Sequence, residues 1–230
     1  MTQYLSSEKY GCMIDPRKPI DSSFNACRMN KTNFYYAVKL LTSEYYLDDE
    51  DSFFIQRAYK NYNSPEYRDK TARLISDFTF DCDIVQYAKY ISSFVKGNKY
   101  FFEYQLRSSS NPWPKWMGAM HGYEMEYFFG MPFRHFRRYR SDTFSYERSI
   151  SEKLINMINN FMLTGKPYPK WDQFNEKKMN ALIIDKKFCS RNTINYYDVF
   201  SDTCKVHDKI LKKYPLWGRK FNNFRMKNHV

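Results

Sequence analysis

Trp113-Pro114-Lys115-Trp116-Met117-Gly118-Ala119-Met120-His121-Gly122-Tyr123-Glu124-Met125-Glu126-Tyr127-Phe128-Phe129-Gly130-Met131-Pro132 is the stretch on which the reading of this chain turns. It holds three of the chain's seven glycines, two of its four tryptophans and one of its four histidines, so it concentrates residues that the rest of the chain uses sparingly. Gly122 after His121 lets a backbone turn come close to a neighbour. Glu124 opens an apolar run that stops at Gly130-Met131-Pro132. The pattern predicts a loop presenting an imidazole and running into a short buried helix with an acidic first turn. The plainer alternative is a packed aromatic loop whose histidine satisfies a buried hydrogen bond.

The order W-P-x-W-M-G-x-x-H-G-Y-E-x-E-(aromatic)-x-F-G-x-P resembles the segment around the catalytic histidine of the cholinesterases, within the type-B carboxylesterase family. The tryptophan pair and the tyrosine after His-Gly lean towards the choline-ester branch. The resemblance implies an α/β class, the C-terminal part of an α/β-hydrolase fold with helices packed on the last strands of a mostly parallel sheet. It covers about Phe34 to Leu211.

Composition sets the outer bounds. A chain of 230 residues with 43% hydrophobic and 20% aromatic residues can bury a core, which excludes a disordered chain. No run approaches the ~18 to 20 apolar residues of a membrane span. The N-terminus, from Met1 to Lys9, has no apolar signal core, so the protein either stays in the cytosol or lacks its true start. The net charge of +12 points to an acidic partner: nucleic acid, anionic lipid or an acidic protein face. Much of it lies in Arg134-His135-Phe136-Arg137-Arg138-Tyr139-Arg140 and from Lys205 onward. Nothing there matches an RNA- or DNA-binding module, and a solvated surface is the favoured reading over nucleic acid. The same charge departs from the resembled family, which is usually acidic on the gorge side.

Five cysteines, Cys12, Cys27, Cys82, Cys189 and Cys204, form no C-x-x-C or Cys/His zinc spacing, so neither a metal nor another cofactor is expected. Residues 1–31 read as a loop region, which a Cys12–Cys27 disulfide would close. Asn30-Lys31-Thr32 is the only N-glycosylation sequon and matters only in a secreted protein.

Residues 32–97 are predicted helical, with apolar spacing over Phe34–Tyr46, Phe53–Tyr62, Tyr67–Asp77 and from about Asp81 to Val95, ending at Gly97. Asp48, Asp49, Asp51 and Ser52 are candidate caps. Residues 98–132 hold a buried strand over Lys99–Leu106 and then the histidine loop. In residues 133–230, Tyr146–Leu163 is an amphipathic helix with Ile150, Leu154, Ile155, Met157, Ile158, Phe161 and Met162 on its apolar side. Thr164-Gly165-Lys166-Pro167 stops it. Ala181–Ile184 reads as a short strand and Asp202–Tyr214 as a last helix. The whole, 1–230, is predicted to be one partial domain.

Ester hydrolysis on the implied fold needs a serine on a Gly-x-Ser-x-Gly elbow, a histidine base, an orienting acid and oxyanion donors. By resemblance His121 is the general base. No glycine of this chain makes the elbow, and no Gly-Gly run offers an oxyanion hole; in the family both lie upstream. Thr2-Gln3-Tyr4-Leu5 is similar to the residues just after the family's Glu-Gly, which puts the acid just before Met1. Glu8 has the right distance from His121 but is followed by Lys9-Tyr10. Trp116 and Tyr123 match gorge positions where aromatic faces attract a quaternary ammonium, with plain core aromatics as the alternative. Glu124 matches a buried carboxylate, hydrogen-bonded at the helix start. Arg107 matches the basic residue that ends the strand. Cys82 and Cys204 match a long-range family disulfide, which argues for secretion.

The expected function is therefore the histidine-bearing portion of a secreted or surface-anchored cholinesterase-like ester hydrolase acting on choline esters, inactive alone. Its partners would be the small-molecule ester and the missing N-terminal part of the fold, and a homo-oligomer stays open. The alternatives are a non-catalytic adhesion protein on the same fold and, behind it, a basic nucleic-acid- or membrane-binding module.

Overall fold

Helices account for most of the regular secondary structure among the described residues. The computed structural model describes residues 12–60, 62–190 and 196–213. In chain order it contains α1 (Lys31–Glu44), α2 (Asp49–Lys60), α3 (Tyr67–Ser76) and α4 (Cys82–Phe94). Next come β1 (Phe102–Tyr104), α5 (Met125–Phe128), α6 (Met131–Arg134) and α7 (Phe144–Thr164). β2 (Asn180–Ile184), β3 (Tyr196–Asp198) and α8 (Asp202–Lys213) complete the order. Local capping chemistry sets several helix ends. Asn30 and Asn33 exchange side-chain-to-backbone hydrogen bonds of 3.0 and 2.9 Å in a capping box that starts α1. The Asp51 N–H donates to Asp48 Oδ1 at 2.8 Å at the start of α2. Gly165, at φ 71°, closes α7 in the left-handed conformation that glycine adopts without steric cost.

The described residues pack as two units. The first unit takes residues 12–15, 27–86 and 200–213. Its core joins Phe34, Val38 and Leu41 of α1, Ile55 and Tyr59 of α2, Leu74 of α3, Phe78, and Val206 and Ile210 of α8. A π turn over Asp77–Asp81 links α3 to α4. The fully buried Asp77 carboxylate accepts the Tyr59 hydroxyl at 2.8 Å and pairs with Arg73, so this internal charge is both neutralised and hydrogen-bonded. Burial, and then Asp77, push the Tyr59 hydroxyl far above its ordinary value. At its far end α8 is held by Lys213, which reaches Asp48 at 2.9 Å and Asp51 at 3.2 Å at the start of α2.

Cys82 is bonded to Cys204 (S–S 2.02 Å) and Cys12 to Cys27, while Cys189 is a free, half-buried thiol whose titration burial pushes up. Asp77 lies beside the Cys82–Cys204 bridge, but both sulfurs are consumed by the bond and cannot ligate a metal.

His207 of α8 is 1% exposed and lies edge-on to Phe78, ring centroids 5.0 Å apart. Asp83 of α4 is 3.6 Å from its Nε2, and Asp77 and Asp208 also act on it. Burial dominates these three carboxylates and holds the imidazole below its ordinary value. The folded protein therefore takes up this proton at lower pH than the unfolded chain. The stabilisation is complete above about pH 6.5, the ordinary histidine value, and is lost as pH falls below it. Thermal melts between pH 7 and 5 should show a decline that His207→Phe removes, and an unchanged slope in that variant would exclude His207 as the sensor.

The second unit takes residues Pro16–Ala26 and Tyr87–Val199. Its sheet has the order β1-β2-β3, with β1 and β2 parallel (Phe102 opposite Leu182) and β2 and β3 antiparallel (Leu182 opposite Tyr196). The central β2 contributes the buried Ala181 and also Leu182 and Ile184, and the latter two pack with Leu106, Tyr127, Ile150, Leu154, Met157, Trp171 and Phe188. Two expectations need correction here. The segment read as a buried strand over Lys99–Leu106 pairs as a strand over three residues only, and Phe102 is 38% exposed, because no described strand lies on the outer edge of β1. The apolar side of α7 is likewise buried only as far as Met157. Ile150, Leu154 and Met157 are inside, whereas Ile158, Phe161 and Met162 are exposed. Periodicity identifies an apolar face but not how much of it finds a neighbour within the same chain.

Candidate active site

The loop that carries His121 leaves the sheet at the end of β1 and is fastened at its first turn. Arg107 donates from Nη2 to the carbonyls of Asn111 (3.2 Å) and Trp113, so the strand-end arginine folds the following loop back over itself. The Trp113 N–H is taken by Asn111 Oδ1 at 2.9 Å. Residues of the Pro16–Ala26 segment hold the middle of the loop. Asp21 accepts the Lys115 N–H at 2.8 Å and pairs with its ammonium at 3.2 Å, and the Lys115 N–H in particular lowers the Asp21 carboxyl. The Trp116 indole N–H donates to the Asn25 carbonyl at 2.7 Å.

From Met120 the backbone winds through successive tight turns into α5, Tyr123 N–H donating to Met120 O (3.2 Å) and Met125 N–H to Gly122 O (3.2 Å). His121 sits on the first of these turns with its side chain exposed. Gly122 follows at φ 84°, and a Cβ there would meet nothing within 4 Å. This corrects the expected close approach to a neighbour. The glycine is required by the left-handed backbone, which costs other L-residues roughly 1–2 kcal/mol.

Two carboxylates strap this loop to the helices behind it. Glu126 of α5 accepts hydrogen bonds from Ser108 (2.9 Å) and Ser110 (2.8 Å) upstream of His121 and from Tyr139 (3.0 Å) downstream of it. Glu147 of α7, 3% exposed, accepts the Ser109 N–H (3.0 Å), the Tyr127 hydroxyl (3.1 Å) and the Thr143 hydroxyl (3.2 Å). Burial first, then Tyr104 and Glu147 at Tyr127 and Glu126 at Tyr139, push these hydroxyls upward, so both stay protonated donors. Tyr127 additionally presents its carbonyl to Ser151 Oγ at 2.6 Å. Each hydrogen bond to a charged group is worth about 1.5–3 kcal/mol. The network therefore fixes both ends of the segment that presents the imidazole.

Glu124, expected as the hydrogen-bonded carboxylate at the helix start, is half-buried and makes no capping hydrogen bond. The anchoring role falls to Glu126, two residues later, because the serines it binds lie behind α5. Trp116 and Tyr123 are both half-buried on the same loop as His121, the former with its N–H committed to Asn25. Asn30 is exposed at the cap of α1. Glu8 and the Thr2–Leu5 segment lie outside the described residues. The serine and glutamate contacts of the loop went unread in the sequence. The one available signal is the Ser108-Ser109-Ser110 run directly after the strand, which by itself reads as an ordinary turn.

The carboxylesterase family model matches residues 13–200, most of the chain. The chain belongs to the carboxylesterase family, and its fold is the C-terminal part of an α/β hydrolase. Among known members it is similar to the cholinesterase of Mus musculus, 37% identical over 94 residues that make up 40% of this chain and 15% of that protein. It is also similar to two proteins of Caenorhabditis briggsae. Acetylcholinesterase 4 is 33% identical over 129 residues, 48% of this chain and 21% of the relative, and acetylcholinesterase 1 is 26% identical over 136 residues, 54% of this chain and 21% of the relative. The matched chain thus spans about a fifth or less of the relatives' length. No helix among the described residues is long and apolar enough to cross a membrane.

Proposed function

We propose that this chain is the histidine-bearing part of a secreted or surface-anchored cholinesterase-like ester hydrolase, with His121 as the general base. The observation that carries the reading is an exposed imidazole on a Gly122 turn, directly downstream of a parallel strand, with both flanks of its loop tied to buried or half-buried carboxylates. Such anchoring suits a base that must meet a serine hydroxyl within hydrogen-bond reach, take its proton during acylation and return it to the leaving alcohol. In this reading the serine elbow, the oxyanion donors and the orienting acid come from polypeptide outside this chain, with Glu8 as the acid only if none precedes it. Trp116 and Tyr123 would line the approach of a choline ester. Cys82–Cys204 would serve as a structural bridge, and Asn30 as a glycan acceptor. The outer edge of β1, where no described strand pairs, and the exposed Phe102, Ile158, Phe161 and Met162 support a fold that continues over these surfaces.

The test is the intact mass of the native protein, captured from its source through an antibody to α8, together with acetylthiocholine hydrolysis by the captured material. We expect a mass well above the 28.0 kDa of this chain and measurable turnover. A native mass near 28.0 kDa would leave no room for a nucleophile and would end the catalytic reading.

A further inference from the structure

The basic run after the histidine loop has no part in the proposed chemistry, yet it is built in a definite way. Arg134 ends α6, Arg137 and Arg138 lie in the 3-10 turn Phe136–Arg138, and Arg148 lies on the first turns of α7; all four are exposed. Among the described residues no carboxylate pairs with any of them, whereas Arg140 is neutralised by Asp142. Aromatic rings hold two of the guanidinium groups in place. Arg148 lies over Phe133 (4.7 Å to the ring centroid) and over Phe144 (5.5 Å), Phe144 contacts Phe136 (6.1 Å between centroids), and Arg137 lies over Phe136 (5.7 Å). The result is a continuous ladder of rings and guanidinium groups on the surface, in the order Arg137, Phe136, Phe144, Arg148, Phe133. Stacked arginines keep their N–H edges pointing outward and have already lost much of their rotamer freedom, so less entropy remains to be lost when an anion binds.

From this ladder we infer a binding surface for a sulfated polysaccharide. Guanidinium groups bind tetrahedral oxyanions through paired N–H donors, and four uncompensated ones on one short segment match a polymer bearing repeated sulfates. Two features of the molecule choose among polyanions. The disulfides Cys12–Cys27 and Cys82–Cys204 place the chain in an oxidising compartment, away from nucleic acid and from the anionic cytoplasmic leaflet. A guanidinium group also already lies over each of the Phe133, Phe136 and Phe144 rings, which leaves fewer aromatic faces on which bases could stack. The inference does not depend on His121 or on esterase activity.

The test uses the full chain and immobilised heparin, with a desulfated heparin, a single-stranded oligonucleotide and phosphatidylserine vesicles as comparison ligands. We expect salt-sensitive binding to heparin that the desulfated polymer does not support. The variant R134Q/R137Q/R138Q should bind at least about tenfold more weakly, a change of about 1.4 kcal/mol. The variant K96Q/K186Q/K187Q, which removes the same charge from exposed lysines elsewhere, should bind like the parent. F133L/F144L should weaken binding while keeping the charge. Absence of heparin binding, equal losses in the arginine and lysine variants, or equal affinity for oligonucleotide or vesicles would each overturn the inference. Unchanged circular dichroism spectra in the variants would tie the losses to the surface.

Discussion

On the proposed reading, replacing His121 with alanine in the native protein should lower kcat by about 10⁶-fold, the loss found when the base of a serine triad is removed. The size follows from the chemistry. A serine hydroxyl is a weak nucleophile at neutral pH, and its attack on an ester carbonyl needs a base that removes the proton as the bond forms. The same imidazole must then protonate the departing alcohol, so one substitution removes both transfers. Because the His121 side chain is exposed, the variant should melt within about 0.5 kcal/mol of the parent. Glu126→Ala should give the opposite pattern. It deletes the acceptor shared by Ser108, Ser110 and Tyr139, so it should lower the melting temperature and reduce turnover only through a loosened loop. Stopped-assay hydrolysis of acetylthiocholine beside thermal melts separates the two. A His121→Ala enzyme that kept a tenth of parental kcat would remove the imidazole from the mechanism.

The contrast between these two residues also marks what the sequence can and cannot convey. His121 is legible because its setting is local: the glycine that follows, the tryptophans before it and the stop at Pro132 all lie within twenty residues. The long helices are legible for a similar reason. Their apolar spacing and the end signals at Asp48 and Gly165 act over three or four positions. Glu126 is not legible. Its partners Ser108 and Ser110 are 18 and 16 residues away, and nothing in the Glu-Met-Glu pattern says which of the two carboxylates turns towards them. β3 escapes for another reason. Tyr196–Asp198 is three residues long, too short for any alternation, and becomes a strand only because β2 offers it an antiparallel edge. The exposed end of α7 shows the same limit from the other side, since Phe161 and Met162 carry the periodicity of a buried face without the neighbours that would bury them.

The second large effect should come from the bridge between α4 and α8. Cys82 and Cys204 are each 1% exposed, and their bond spans 122 residues of sequence, a ring that includes all of Tyr87–Val199. By the loop-entropy relation a ring of that length restricts the unfolded chain by about 5 kcal/mol, comparable to the whole stability of a modest domain. The variant C82A/C204A should therefore lose about that much in urea denaturation, with a steeper transition because its unfolded state is no longer closed into a ring and exposes more surface. The loss should fall first on α8. Without the bridge this helix keeps Val206 and Ile210 in the core and the Lys213 contacts to α2, but it also keeps the buried and unsatisfied His207. Its amides should accordingly exchange with solvent earlier than those of α1 and α2, and acidification should widen the difference as His207 takes up its proton. A double alanine variant within about 1 kcal/mol of the parent would mean that packing alone holds α8, and that the bridge adds no measurable restraint.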